Sequence, residues 1–117
     1  MNVPSNGLFH QYPVDCWRFY PDSGHALVTW AKRNGYRPLL LESFTDVKNV
    51  NDGELSFNDF VAVFLKDAAT IEQFPERILD SVEGFTNGYV NDKRELLNRS
   101  NYTEDQQKIA YLLSNQK

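Results

Sequence analysis

The chain has 117 residues, a formal net charge of −4 and a pI near 5.1, and its 41% apolar and 24% charged content is that of an ordinary soluble domain with one modest core. Its basic residues are scattered, which excludes the electrostatic footprint of a nucleic-acid or anionic-membrane binder, and no apolar run approaches membrane-spanning length, the longest being Phe60 to Leu65. One cysteine excludes an internal disulfide, and the start Met1-Asn2-Val3-Pro4 lacks a basic region followed by an apolar run, so a cytoplasmic protein is expected.

In chain order, residues 1 to 7 form a short extended lead that ends in the turn chemistry of Ser5-Asn6-Gly7. Residues 8 to 24 follow, with neither helical nor strand periodicity. They hold five aromatic rings, His10, Asp15, Arg18 and Cys16, and the prolines at 13 and 21 push Tyr12 and Tyr20 toward extended backbone. So much aromatic area predicts an ordered loop fixed by its own buried rings, of the kind that carries sites. Asp22 or Ser23 then caps a helix with Ala26, Leu27, Trp30 and Ala31 on one face, Lys32 and Arg33 in its last turn, and Gly35 as its stop.

Leu39 to Phe44 reads as a strand with Pro38 at its start, and Thr45 to Ser56 as a polar connection. Phe57 to Lys66 reads as a second strand. Phe60, Ala62 and Phe64 alternate with Val61, Val63 and Leu65, so both of its faces are apolar and it belongs inside a sheet covered on both sides. The last third reads as a helical tail. Ile71, Phe74, Ile78, Leu79 and Val82 have roughly helical spacing across 69 to 82, Asn87-Gly88 reads as a turn, and 92 to 98 as a short helix. Thr103-Glu104-Asp105-Gln106 is a capping-box pattern that opens a final helix.

The order of residues Asn2-Val3-Pro4-Ser5-Asn6-Gly7, then His10-x-Tyr12-Pro13-x-Asp15-x-Trp17-Arg18-Phe19-x-Pro21, resembles the segment after the fifth strand of class I S-adenosylmethionine-dependent methyltransferases of the kind found in polysaccharide and O-antigen gene clusters. The likeness continues through the helix, the Gly35-Tyr36 exit and the strand Phe60 to Leu65, covering roughly 2 to 67. It implies an α/β chain, α+β in isolation. Its small antiparallel sheet would come from the C-terminal strands of a Rossmann-like methyltransferase fold, with packing helices and a helical C-terminal tail. Residues 1–67 would be the methyltransferase-like segment and 68–117 an extension packed on the same domain. The family's glycine-rich turn and ribose-holding acid have no counterpart, so no cofactor is expected on the isolated chain, although the full-length family uses S-adenosylmethionine. A fragment inactive alone is one expectation; a non-catalytic small-ligand or protein-binding module is the alternative.

His10, Tyr12, Asp15, Trp17, Arg18 and Tyr20 are the candidate site residues. With the resemblance, His10 is the candidate base for an acceptor hydroxyl, the rings would stack on a sugar or other small-molecule acceptor, and Arg18 would hold a carboxylate or phosphate. Without it, Asp15 and Arg18 pair with each other or cap backbone groups, and His10 is a satisfied loop histidine. Cys16 reads as a buried thiol. His10, Asp15, Asp22 and His25 match no common metal spacing, and the acidic run from 46 to 54 lacks the alternation of a calcium loop. In the resembled fold the second strand lies between the first strand and the end of residues 2 to 4, with one edge almost unpaired, which predicts a homo-oligomer, in the simplest case a homodimer.

Overall fold

The strand Asn58–Leu65 (β3) stands between two others that both run against it. β3 pairs antiparallel with Asn2–Asn6 (β1) on one side and with Leu39–Asp46 (β2) on the other, and Phe85–Val90 (β4) adds antiparallel to the far side of β2. The sheet order is β1-β3-β2-β4, with β1 and β2 therefore parallel to each other. The computed structural model describes residues 1–6, 18–47 and 58–116. Most of the aromatic loop and the connection 48–57 lie outside them. The observed fold is mixed α and β with a four-stranded antiparallel sheet, as expected at that level.

The apolar pattern of β3 acts as read. Phe60 and Ala62 are fully buried and cluster with Leu40 beneath Val3, Phe19, Val28, Phe64 and Tyr89, on the face covered by the helix Ser23–Arg33 (α1). Val61 points the other way, into a cluster of Phe44, Leu79 and Val90 with Val82, Phe85 and Leu97. The side of β3 next to β1 closes at its start through Met1, whose ammonium donates to Ala62 O (2.6 Å) while Ala62 N–H donates to Met1 O (2.7 Å).

α1 ends as expected, with Lys32 and Arg33 in its last turn and Gly35 at φ +85. Its start and its packing differ from expectation. Asp22 makes no side-chain cap; Ser23 Oγ instead accepts Tyr20 N–H at 3.0 Å. The packed side is Gly24 and Val28 rather than Ala26, Leu27 and Trp30, because Gly24 lets the helix approach Leu40 closely. Trp30 is left 63% exposed.

The expected helices across 69 to 82 are two short 3-10 turns, Ala68–Gln73 and Ile78–Asp80. Pro75 interrupts the stretch, and the buried carboxylate of Glu42 takes the N–H groups of Ile78 (2.9 Å) and Leu79 (3.0 Å), which fixes the second turn on the sheet. Asn87-Gly88 is not a turn. It is a bulge inside β4, two residues opposite Phe44, with Asn87 at φ +53. The expected helix at 92 to 98 is irregular chain, in which Leu97 bridges to Gly88. The final helix Glu104–Ser114 (α2) carries the expected capping box, with Gln106 N–H on Thr103 Oγ1 (3.4 Å) and Thr103 N–H on Gln106 Oε1 (3.0 Å).

Candidate functional site

Of the candidate site residues, His10, Tyr12, Asp15 and Trp17 lie outside the described residues. Arg18 and Tyr20 are described, and both are half-buried. Tyr20 is the one the structure brings into a cleft. Together with Pro21 and Asp22 at the start of α1, it faces Asn87 of β4 and the arch 96–103, enclosing about 270 Å³.

The arch and the residue it meets come from stretches whose sequence reads as a turn at Asn87-Gly88, a short helix over 92 to 98 and a cap at Thr103, not as site residues. Asn87 is 5% exposed; its N–H donates to Asn98 O (3.1 Å) and its Oδ1 accepts Ser100 N–H (2.9 Å). Asn98 also stands at positive φ, +47, and its Nδ2 donates to Phe85 O (3.2 Å). Ser100 Oγ accepts Tyr102 N–H (3.2 Å) and donates to Tyr102 O (3.0 Å), which leads the chain into the Thr103 cap. The available signal was residue type, since asparagine tolerates the left-handed region better than other side chains that carry a Cβ. The cleft presents the Tyr20 and Tyr102 rings, the Arg99 guanidinium and the Asp22 carboxylate, with the last three exposed. Aromatic faces beside one cation and hydrogen-bonding groups suit a small cyclic polar ligand.

A second polar region lies at the carboxyl ends of β1 and β2. Ser43 and Thr45 pair with Ala62 and Phe60 and so stand on the α1 face. Their hydroxyls and that of Ser5 are buried with no hydrogen-bond partner among the described residues. β2 ends in Asp46, whose Oδ1 accepts Asp59 N–H (2.6 Å), while Asn58 Nδ2 donates to Asp46 O (2.8 Å).

No glycine-rich turn joins a strand to a helix among the described residues, and the one strand-end acid, Asp46, is engaged by backbone. Among them, too, no three His, Cys, Asp or Glu side chains gather as metal ligands, and no helix is long and apolar enough to cross a membrane.

Among the described residues two ionisable groups depart from their ordinary values. The N–H of Ala69, and then Arg37 at 2.6 Å, hold the Asp67 carboxyl below its usual range. Burial, and then the charge of Asp92, push the Tyr89 phenol up; its ring meets His25 edge-on at 4.5 Å between centroids. No family model, curated protein or solved structure matches the chain.

Proposed function

We propose that the chain supplies the acceptor-side part of a class I S-adenosylmethionine-dependent methyltransferase fold and transfers no methyl group by itself. The observation that carries this reading is the arrangement of β1, β3 and β2, with β3 antiparallel between two strands that run parallel, and with the aromatic loop leaving the carboxyl end of β1. The resemblance implies that same order for the fifth, seventh and sixth strands of the family. In this reading the chain positions a sugar or other small acceptor through Tyr20 and the loop, and His10 takes the acceptor proton. In this reading the methyl donor is held by another segment, one that carries the family's glycine-rich turn and ribose-holding acid.

The test is titration with S-adenosylmethionine in two forms. The 117-residue chain alone is expected not to bind it. Co-expressed with a strand and glycine-rich turn encoded in frame upstream of Met1, it is expected to bind and to methylate a sugar acceptor. Micromolar binding by the chain alone, or upstream DNA encoding no such segment, would overturn the reading.

One observation favours a second reading, a ligand-binding module without chemistry: the cleft beside Tyr20 is walled largely by Asn87 and residues 96–103, outside the resembled stretch. Arg99→Ala and Tyr102→Ala then abolish sugar-phosphate binding by the isolated chain at unchanged Tm. Under the first reading the isolated chain binds sugar phosphates no better than either variant.

A further inference from the structure

Asn87 anchors the arch with one end of its side chain and leaves the other end unused. Its Oδ1 accepts Ser100 N–H at 2.9 Å, which fixes which end of the amide is oxygen, and its backbone N–H donates to Asn98 O at 3.1 Å. The remaining end, Nδ2, makes no hydrogen bond among the described residues, although Asn87 is only 5% exposed and lines the cleft beside Tyr20. Buried polar groups ordinarily have partners. The backbone at this position stands at φ +53, which glycine would reach more freely, so the side chain is present in spite of the conformation. Arg99 lies between the two residues that Asn87 ties, Asn98 and Ser100. Its backbone is therefore held beside Asn87, and its exposed guanidinium lines the same cleft with no ion pair among the described residues. Two donors, one of them charged, thus share one wall, and the carboxylate of the cleft, Asp22, stands on the wall opposite.

We propose, on the reading of this cleft as a binding module, that Asn87 and Arg99 together grip an oxyanion, so that the ligand is an acidic sugar, either a sugar phosphate or a uronic acid. The anionic group takes hydrogen bonds from Asn87 Nδ2 and the Arg99 guanidinium, and the sugar ring lies against Tyr20 and Tyr102. A guanidinium alone attracts any anion. A neutral donor held beside it by a fixed backbone pairs with the second oxygen of a carboxylate or phosphate, which makes Asn87 the residue that selects the ligand. Asp22, across the cleft, accepts a ring hydroxyl and repels an anion bound the wrong way round, while the guanidinium repels an amino sugar. Aspartate tolerates the left-handed backbone as asparagine does, and its carboxylate still accepts Ser100 N–H. Asn87→Asp therefore keeps the arch and turns the unused donor into an acceptor.

The test is calorimetry of the whole chain with glucose-6-phosphate, glucuronate, glucose and glucosamine. The two acids are expected to bind, and glucose and glucosamine to bind roughly tenfold or more weaker, because a hydrogen bond to a charged group is missing. In Asn87→Asp the order inverts at unchanged Tm, with glucosamine ahead of either acid, and Arg99→Gln, a change at an exposed side chain, weakens the acids alone. One readout needs no variant: the side-chain amide NMR signals of Asn87 are expected to move with added glucuronate and to saturate with the calorimetric curve. The tighter of the two acids tells phosphate from carboxylate. If the chain binds none of the probes, the binding-module reading fails and the role of Asn87 with it. If the acids bind but the Asn87 amide signals stay still, or Asn87→Asp keeps the wild-type order, that reading stands and the selective role of Asn87 is overturned.

Discussion

Glu42 and Leu79 are joined across 37 positions of sequence: the fully buried carboxylate of Glu42 accepts the N–H of Leu79 at 3.0 Å and, with its other oxygen, that of Ile78 at 2.9 Å. This side chain ties the tail to the sheet. Glu42→Ala leaves two backbone donors unmet beside a small cavity, and unmet buried groups cost about 1 to 3 kcal/mol each, so a loss of about 2 to 4 kcal/mol is expected. Urea denaturation measures it. A loss below about 1 kcal/mol would show that the 3-10 turn holds its place without Glu42.

Two glycines should respond differently to alanine. A Cβ on Gly88 would lie 2.6 Å from Cε2 of the Phe85 ring, whereas one on Gly24 would meet the end of the Leu40 side chain at 2.9 Å, which a rotamer change relieves. Gly88→Ala is therefore expected to cost about 1 to 3 kcal/mol, and Gly24→Ala less. Thermal unfolding of the pair decides, and the reverse order would contradict the packing described for β4.

Thr45→Val is expected to stabilise the chain. The Thr45 hydroxyl is buried without a partner among the described residues, and replacing it with a methyl group of similar shape removes a desolvated dipole worth about 1 kcal/mol or more. A fall in Tm on this substitution would mean that the hydroxyl is hydrogen-bonded in solution, as it would be on the floor of a ligand site.

The two shifted groups give pH signatures at opposite ends of the scale. The lowered pKa of Asp67 contributes stability that is present above the ordinary aspartate range and is lost as pH falls through the lower folded value. The pair is largely exposed, so this is best read as a carboxyl carbon titration by NMR, with Arg37→Ala moving Asp67 back up. For Tyr89 the sign is reversed. Its raised value contributes stability present below the ordinary tyrosine range and lost as pH rises through the higher folded value. In an alkaline absorbance titration Tyr89→Phe should remove a late-ionising phenol; removal of an early one would refute this.

Much of the central fold was legible because local pattern and tertiary demand agree there. Residues 60 to 65 alternate between two apolar faces and lie in an interior strand, paired with β1 and β2, with one apolar cluster above and another below. Gly35 and the Thr103 capping box act within a few residues of themselves, where sequence suffices. The tail was misread where a distant partner decides. Ile71, Phe74 and Ile78 have helical spacing, but Glu42 claims the N–H groups that a helix through Ile78 and Leu79 would need. Asn87-Gly88 has the composition of a hairpin turn, and the structure uses its left-handed preference for a bulge opposite Phe44 instead. The cleft beside Tyr20 depends on that bulge, which is why its asparagines read from the sequence as turn residues rather than as the wall of a site.

The Met1 rung bears on how the protein should be handled. Because the terminal ammonium is itself a hydrogen-bond donor to Ala62, residues fused ahead of it are directed along the sheet edge toward Phe64. An amino-terminal extension would therefore lie along β3 beside Phe64 and change which backbone groups of that edge meet water. Purification handles placed after α2 leave that edge as it is, and the melting temperatures of the chain tagged at one end or the other show whether an extension there alters the sheet.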